Sequence, residues 1–166
     1  MKAKSFFIIA SLAIAGLANA QSNLGKSFNY GIKLGVDVNT AATPKTMDAY
    51  QAGVFLQVGR QIYVQPEAYY TLQSGKFSME NSYVRVPLML GYHVFDIDVL
   101  RFNVEAGPTY SKQLVGGSKG FFNWGAGVGV DVFKIITADL RYSFKADDNA
   151  LTLNTNRMNF TVGLRL

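Results

Sequence analysis

Residues 83–94, YVRVPLMLGYHV, alternate between apolar and other side chains at almost every step. The two faces would carry Val84, Val86, Leu88, Leu90, Tyr92 and Val94 on one side, and Tyr83, Arg85, Pro87, Met89, Gly91 and His93 on the other. This period of two predicts a β-strand with one apolar face. A soluble protein would bury that face, whereas a membrane barrel would turn it outward to lipid.

Seven further segments repeat the alternation, and no segment shows a helical period. They lie at 28–38, 50–59, 62–73, 99–110, 121–132, 135–144 and 157–166. Without an internal boundary or low-complexity tract, residues 21–166 are predicted to form one domain. An even number of antiparallel strands can close into a barrel without a free edge.

The composition of the two faces predicts which one is inside. The apolar face has no charge and no glycine, and an eight-stranded barrel is too narrow for its roughly 45 apolar side chains. The other face carries glycines and ten charges, five of each sign, which would fit as a paired network. We therefore predict an all-β fold, an eight-stranded antiparallel up-and-down transmembrane β-barrel; the alternative is a soluble lipocalin-like barrel. The predicted lumen charges are Lys33, Asp37, Glu67, Arg85, Arg101, Glu105, Asp131, Asp139, Arg141 and Arg165.

The connections between the strands alternate in length. Short ones, RQ, FDID and FK, stand at 60–61, 95–98 and 133–134, and long ones at 39–49, 74–82, 111–120 and 145–156. Such alternation is typical of outer-membrane barrels with periplasmic turns and external loops. The loops 39–49, 111–120 and 145–156 are the expected binding surface, if there is one.

Aromatic residues gather near the predicted strand ends, as the two interfacial girdles of a membrane barrel would require. The candidates are Tyr30, Tyr50, Tyr70, Tyr92, Tyr110, Phe122, Trp124, Tyr142, Phe144 and Phe160. Pro66, Pro87 and Pro108 fall inside strand patterns. Because proline cannot donate to a β-ladder, each is expected to mark a bulge or kink.

The first 20 residues predict export. MKAKSFFIIASLAIAGLANA has two lysines, an apolar run of about 12 residues and an A-x-A site, which indicates a signal peptide cleaved after Ala20. The alternative, a membrane anchor, needs about 20 apolar residues. Removing two lysines with the leader from the 16 basic residues leaves 14 against 11 acidic ones, without a basic cluster for nucleic acid. The chain has no cysteine, so disulfides do not hold the fold.

Four motifs in order, VQPEAYY (64–70), YVRVPLMLGYHV (83–94), FNVEAGPTY (102–110) and ADLRYSF (138–144), resemble the PorT-like outer-membrane β-barrel domain family. The resemblance covers about residues 28–166. It implies an outer-membrane barrel and does not imply one activity, since such barrels host many roles.

Catalytic signals are weak. His93 is the sole histidine and has no evident second His, Cys or positioned Ser for metal binding or nucleophilic catalysis, so we expect a structural role and no cofactor. The charged residues could form a carboxylate dyad or ion path, but a salt-bridge plug is favoured. GAGVGVDV (125–132) resembles a phosphate loop only superficially, and its glycines are expected to receive a bulky lumen residue such as Tyr63, Tyr69 or Phe55.

The sequence thus favours a non-enzymatic outer-membrane protein with a structural, adhesive or partner-docking role. A narrow channel, a secretion-system accessory and an outer-membrane enzyme stay open as alternatives. The expected partners are outer-membrane lipid, the barrel-assembly machinery during biogenesis, and an extracellular or envelope protein that binds the loops; no nucleic acid is expected.

Overall fold

A closed β-barrel accounts for nearly all of the described chain. The computed structural model describes residues 28–40, 46–73, 82–114, 120–144 and 156–166. The strands are β1 Phe28–Asn39, β2 Thr46–Gly59, β3 Ile62–Gln73, β4 Ser82–Asp96, β5 Leu100–Gln113, β6 Phe121–Val132, β7 Ile136–Phe144 and β8 Arg157–Arg165. Each pairs antiparallel with the next, and β1 pairs with β8. The predicted eight-stranded up-and-down barrel is confirmed. Within those five ranges, no helix has the length and apolar character to cross a membrane.

The barrel has an apolar outside and a polar inside. Leu34 and Trp124 are 64% and 62% exposed, while the residues that alternate with the outward ones are mostly buried and polar. Val58 departs from the pattern. It has the outward register, opposite Phe28 on β1 and Val64 on β3, yet it is only 6% exposed.

Strands β2 and β5 extend furthest beyond the segments that the sequence pattern predicted. β2 begins at Thr46 rather than at residue 50, and β5 ends at Gln113 rather than at 110. The start of β2 does not show the alternation of inward and outward side chains, because a register shift lies opposite it, between Asp37 and Val38 of β1. This shift leaves Asp48 of β2 without a paired residue on β1. Part of each predicted loop, 39–49 and 111–120, is therefore β-ladder.

Each proline was expected to mark a bulge or a kink, and none of the three marks a bulge. The register shifts of the described strands lie between Asp37 and Val38 and between His93 and Phe95. Instead, the ladders opposite Pro66, Pro87 and Pro108 each lack two successive pairs, and the register continues unchanged beyond them. A missing N–H removes a hydrogen bond without requiring an extra residue, which explains a gap rather than a bulge.

The β6–β7 connection is a tight turn with two unusual residues. The Ile135 N–H donates to the Val132 carbonyl at 3.1 Å, and the central residues Phe133 and Lys134 have φ of 52° and 58°. Two positive φ angles define a type I′ turn, which favours Asn-Gly. We call the end of the barrel that carries this turn and residues 60–61 and 97–99 the turn end, and the opposite end the loop end.

Replacing Lys134 with glycine should stabilise the barrel. Glycine adopts a positive φ without the Cβ clash that costs an L-residue roughly 1–2 kcal/mol. We expect Lys134→Gly to raise the free energy of unfolding by about 1 kcal/mol in urea titrations of detergent-refolded protein. Lys134→Ala is the matched control, because it removes the same charge and keeps the Cβ. An equal gain in both variants would assign the effect to charge instead.

Candidate functional site: the charged interior

The middle of the barrel holds a fully buried ion cluster. Arg141 on β7 donates to Glu67 on β3 and Glu105 on β5. The Nζ atom of Lys33 lies 2.8 Å from Glu67 Oε1 and 2.5 Å from Asp139 Oδ2. All five side chains are buried. Because an unpaired buried charge is very costly, these contacts hold one another in place across the lumen.

A second cluster fills the loop end of the interior. The Nη1 atom of Arg85 lies 2.6 Å from Asp37 Oδ2, and Asn159 donates to the other oxygen of Asp37. Arg157 Nη2 lies 2.6 Å from Asp48 Oδ2, and its Nη1 lies 3.9 Å from Asp37. The two arginines thus share one carboxylate between opposite walls of the barrel.

A third cluster occupies the turn end. Asp131 Oδ2 lies 2.9 Å from Arg165 Nη2 and 3.9 Å from Arg101 Nη1. The Nη2 atom of Arg101 also lies 2.9 Å from Asp96 Oδ2. The ten predicted lumen charges therefore all lie inside the barrel, distributed over these three clusters.

Three members of the clusters were missed in the sequence. Arg157 alternates with outward Met158, so the period of two contained the signal for its inward position. Asp48 enters the interior through the register shift opposite Asp37, and Asp96 lies in a segment that the pattern assigned to a turn. Sequence alternation alone does not predict either of these two positions.

Aromatic side chains of the lumen do pack against glycines, as predicted, but not against the glycines of residues 125–132. Phe55 lies against Gly31, Tyr69 against Gly53 and Tyr63 against Gly91, each from the adjacent strand. The β6 glycines differ from that prediction. Gly127 lies against Arg141, Gly129 against Asn103 and Asp139, and the nearest atom to a Cβ built on Gly125 is 3.4 Å away.

The centre of the barrel is nearly filled. The cavity beside Gly125, bounded by side chains that include Arg85, Tyr69 and Arg141, has a volume of about 10 Å³. That is about the space of one water molecule. Chemically, the arrangement can seal the lumen and fix the strand register, and it leaves no room for a substrate at this level.

His93 lies inside the barrel and is 5% exposed. Its ring stacks on Tyr63 with a centroid distance of 4.6 Å, and its Nε2 lies 3.4 Å from Gln57 Nε2. Across the described ranges, no group of three or more His, Cys, Asp or Glu side chains is arranged to hold a metal ion.

The candidate girdle residues all lie on the outer surface. Tyr70 Oη donates to Ser82 Oγ at 2.9 Å, and the ring centroids of Tyr110 and Phe122 lie 4.9 Å apart. The exposed members are Tyr30, Tyr50, Tyr70, Tyr92, Trp124, Phe144 and Phe160, and the half-buried ones are Tyr110, Phe122 and Tyr142.

The predicted signal peptide and most of the predicted binding loops lie outside the described residues.

The fold is shared with solved barrels. Neisserial surface protein A has a TM-score of 0.64 at 12% identity, covering 86% of this chain and 98% of that one. The N-terminal β-barrel domain of Pseudomonas aeruginosa OprF has 0.54 at 12% (85% and 99%), and the outer membrane enzyme PagL has 0.53 at 14% (84% and 99%). No protein-family model and no curated protein sequence matches the chain. At these identities the likeness concerns the fold.

Proposed function

We propose that this protein is an integral outer-membrane barrel with a sealed lumen, which acts without catalysis as a structural, adhesive or partner-docking platform in the Gram-negative envelope. The apolar outer face and the charged interior of the barrel support a location in the membrane. Exposed residues such as Leu34, Trp124 and Val128 would have to contact water in a soluble protein, whereas charged residues fill the interior. Lipid around the barrel removes that cost.

The buried ion clusters favour docking over transport. Ions would have to pass Arg141, Glu67 and Glu105, which contact one another across the middle of the lumen. Eight strands leave little open space, and the cavity at this level holds about 10 Å³. A rigid, closed barrel of this kind can present its connecting loops to a partner.

Orientation follows from the lengths of the connections. We infer that the turn end faces the periplasm and that the loop end is external, as in other outer-membrane barrels. The PorT-like resemblance is compatible with this assignment and adds a secretion-system accessory role as the alternative. Outer-membrane lipid, the barrel-assembly machinery and a loop-binding protein are the partners that this proposal implies.

Fractionation and conductance test the proposal together. We expect the mature protein in the outer-membrane fraction, with a gel band that shifts on boiling because the closed barrel resists unfolding by detergent. In planar bilayers the same preparation should give no conductance steps. Recovery in the soluble periplasm would contradict the membrane assignment, and regular steps would contradict the sealed lumen.

Docking is tested by loop replacement. Residues 41–45, 115–119 and 145–155 are replaced by short Gly/Ser linkers, singly and together, in cells whose envelope partners are captured by cross-linking. We expect captured partners to be lost while the boiling-dependent gel shift persists. Unchanged capture after replacement of all three segments would contradict docking through the loops.

A further inference from the structure

A cleft at the turn end has features of a binding site. It has a volume of about 480 Å³ and is lined by Arg60, Gln61, His93, Val94 and Asp96. The second register shift of the barrel lies here, between His93 and Phe95. The backbone N–H of His93 donates to the backbone carbonyl of Gln61 at 2.8 Å, which fixes the histidine beside the β2–β3 turn.

The hydrogen bonds around His93 favour the tautomer whose proton is on Nδ1. Asn29 Nδ2 donates to Gln57 Oε1 at 3.3 Å, so Gln57 presents its amide nitrogen to His93 Nε2. His93 Nε2 therefore accepts a hydrogen bond from the Gln57 amide, and Nδ1 of the neutral ring is the N–H donor. Nδ1 is buried and has no hydrogen-bond partner within the described residues. A buried donor without a partner is unfavourable, so a ligand atom that accepts from Nδ1 would be favoured.

Charge at this end favours an anion. In the described part of the chain, Arg60 makes no ion pair, whereas Arg101 and Arg165 share Asp131. The Nε atoms of those two arginines are also buried and without hydrogen-bond partners. Arg60 and Asp96 line the cleft, and Arg101 connects Asp96 to the Asp131–Arg165 pair, so three guanidinium groups accompany two carboxylates at this end of the barrel. Guanidinium groups recognise carboxylate and phosphate oxygens through charge-assisted hydrogen bonds.

We propose that this cleft binds a small oxyanion, a carboxylate or a phosphate, with Arg60 and the His93 Nδ1–H as donors. The site lies in the barrel wall and its turn, so the proposal is independent of the loop-docking function. The same oxyanion chemistry is offered by a free solute and by a lipid headgroup at the rim of the barrel.

The single histidine provides a specific probe. Protein labelled in its histidine ring is refolded in a maltoside detergent, which contains no phosphate, and its folding is verified by the boiling-dependent gel shift. The His93 ring signal is then followed by NMR during titration with inorganic phosphate, acetate or short-chain phosphatidylglycerol, and with sodium chloride at matched ionic strength. We expect a saturable shift with at least one oxyanion and none with chloride.

Two variants separate a site from diffuse attraction. Arg60→Gln should weaken the oxyanion affinity by about tenfold, because it removes a charge-assisted donor. Lys112→Gln removes the same charge from an exposed position of β5 at the opposite, loop end of the barrel, and should leave the affinity within about twofold.

The outcomes are distinct. Saturation with phosphate or acetate supports the site and indicates a free solute, and saturation with phosphatidylglycerol alone supports it and indicates a headgroup. Absence of a saturable shift with all three probes, a chloride effect of equal size, or equal weakening by both variants would overturn the proposal.

Discussion

Removing the Arg141 side-chain charge should destabilise the barrel by about 3–5 kcal/mol, the cost typical of breaking a buried ion pair by deleting one partner. Arg141 contacts Glu67 and Glu105 directly, and its Nη2 lies 3.9 Å from Asp139. In Arg141→Met, Lys33 alone would oppose these three carboxylates. The measurement is urea-induced unfolding in detergent or vesicles, followed by the gel mobility of unboiled samples.

A double variant distinguishes a charge effect from lost packing. Among the described residues, Arg141 is the partner that forms an ion pair with Glu105. Arg141→Met/Glu105→Gln therefore restores the net charge of the central cluster while keeping both side chains of similar size. We expect it to recover a large part of the lost stability, because replacing both members of a buried pair is often nearly neutral.

Arg60→Met serves as the control, since this arginine is exposed at the turn end. Its effect should stay within about 0.5 kcal/mol, as for other surface substitutions. If Arg141→Met were no more destabilising than Arg60→Met, the central cluster would not be what fills and stabilises the lumen. If the double variant were as unstable as Arg141→Met, packing rather than charge would explain the loss.

The alternation in the sequence was sufficient to predict the barrel and its inside. Side chains on a strand point alternately to opposite faces, so a clean run such as residues 83–94 determines which residues share a face. The narrowness of eight strands then decides between the faces, because apolar aromatic residues do not fit inside and paired charges do. For the same reason, the ten predicted charges all lie in the interior.

Contacts inside the lumen depend on register, which the alternation does not contain. Tyr63 lies opposite Gly91, and Tyr69 opposite Gly53, because of how β2, β3 and β4 are aligned. A shift of the alignment by two residues would preserve both faces and change every one of these pairs. The position of Asp48 likewise depends on an extra residue at a bulge, and neither feature leaves a periodic signal in the sequence.

The contact between Gly91 and Tyr63 leads to the second large effect. A Cβ built on Gly91 would overlap the Tyr63 side chain, to which its three nearest atoms, Cζ, Cε2 and Oη, all belong. Tyr63 is 1% exposed and also stacks on His93, so it has little freedom to move away. We expect Gly91→Ala to lower the free energy of unfolding by about 1–3 kcal/mol, the usual cost of overpacking a filled interior.

Gly125 offers the matched control on the same inner surface. A Cβ built there has its nearest neighbour at 3.4 Å, and the small central cavity lies beside it. Gly125→Ala should therefore be neutral or raise the free energy of unfolding by about 0.4–1 kcal/mol, because alanine restricts the unfolded chain. Both variants are compared by urea titration under identical conditions.

A change at Tyr63 tests whether the ring is the cause. Tyr63→Ala removes the atoms that a Gly91 side chain would meet, so the Gly91→Ala penalty should largely disappear in that background. Such a coupling between neighbours is what a double-mutant cycle measures. If the Gly91→Ala penalty were undiminished in the Tyr63→Ala background, the Gly91 backbone, rather than the space taken by Tyr63, would require glycine. If Gly91→Ala and Gly125→Ala had equal penalties, the inner wall would tolerate no side chain on either strand.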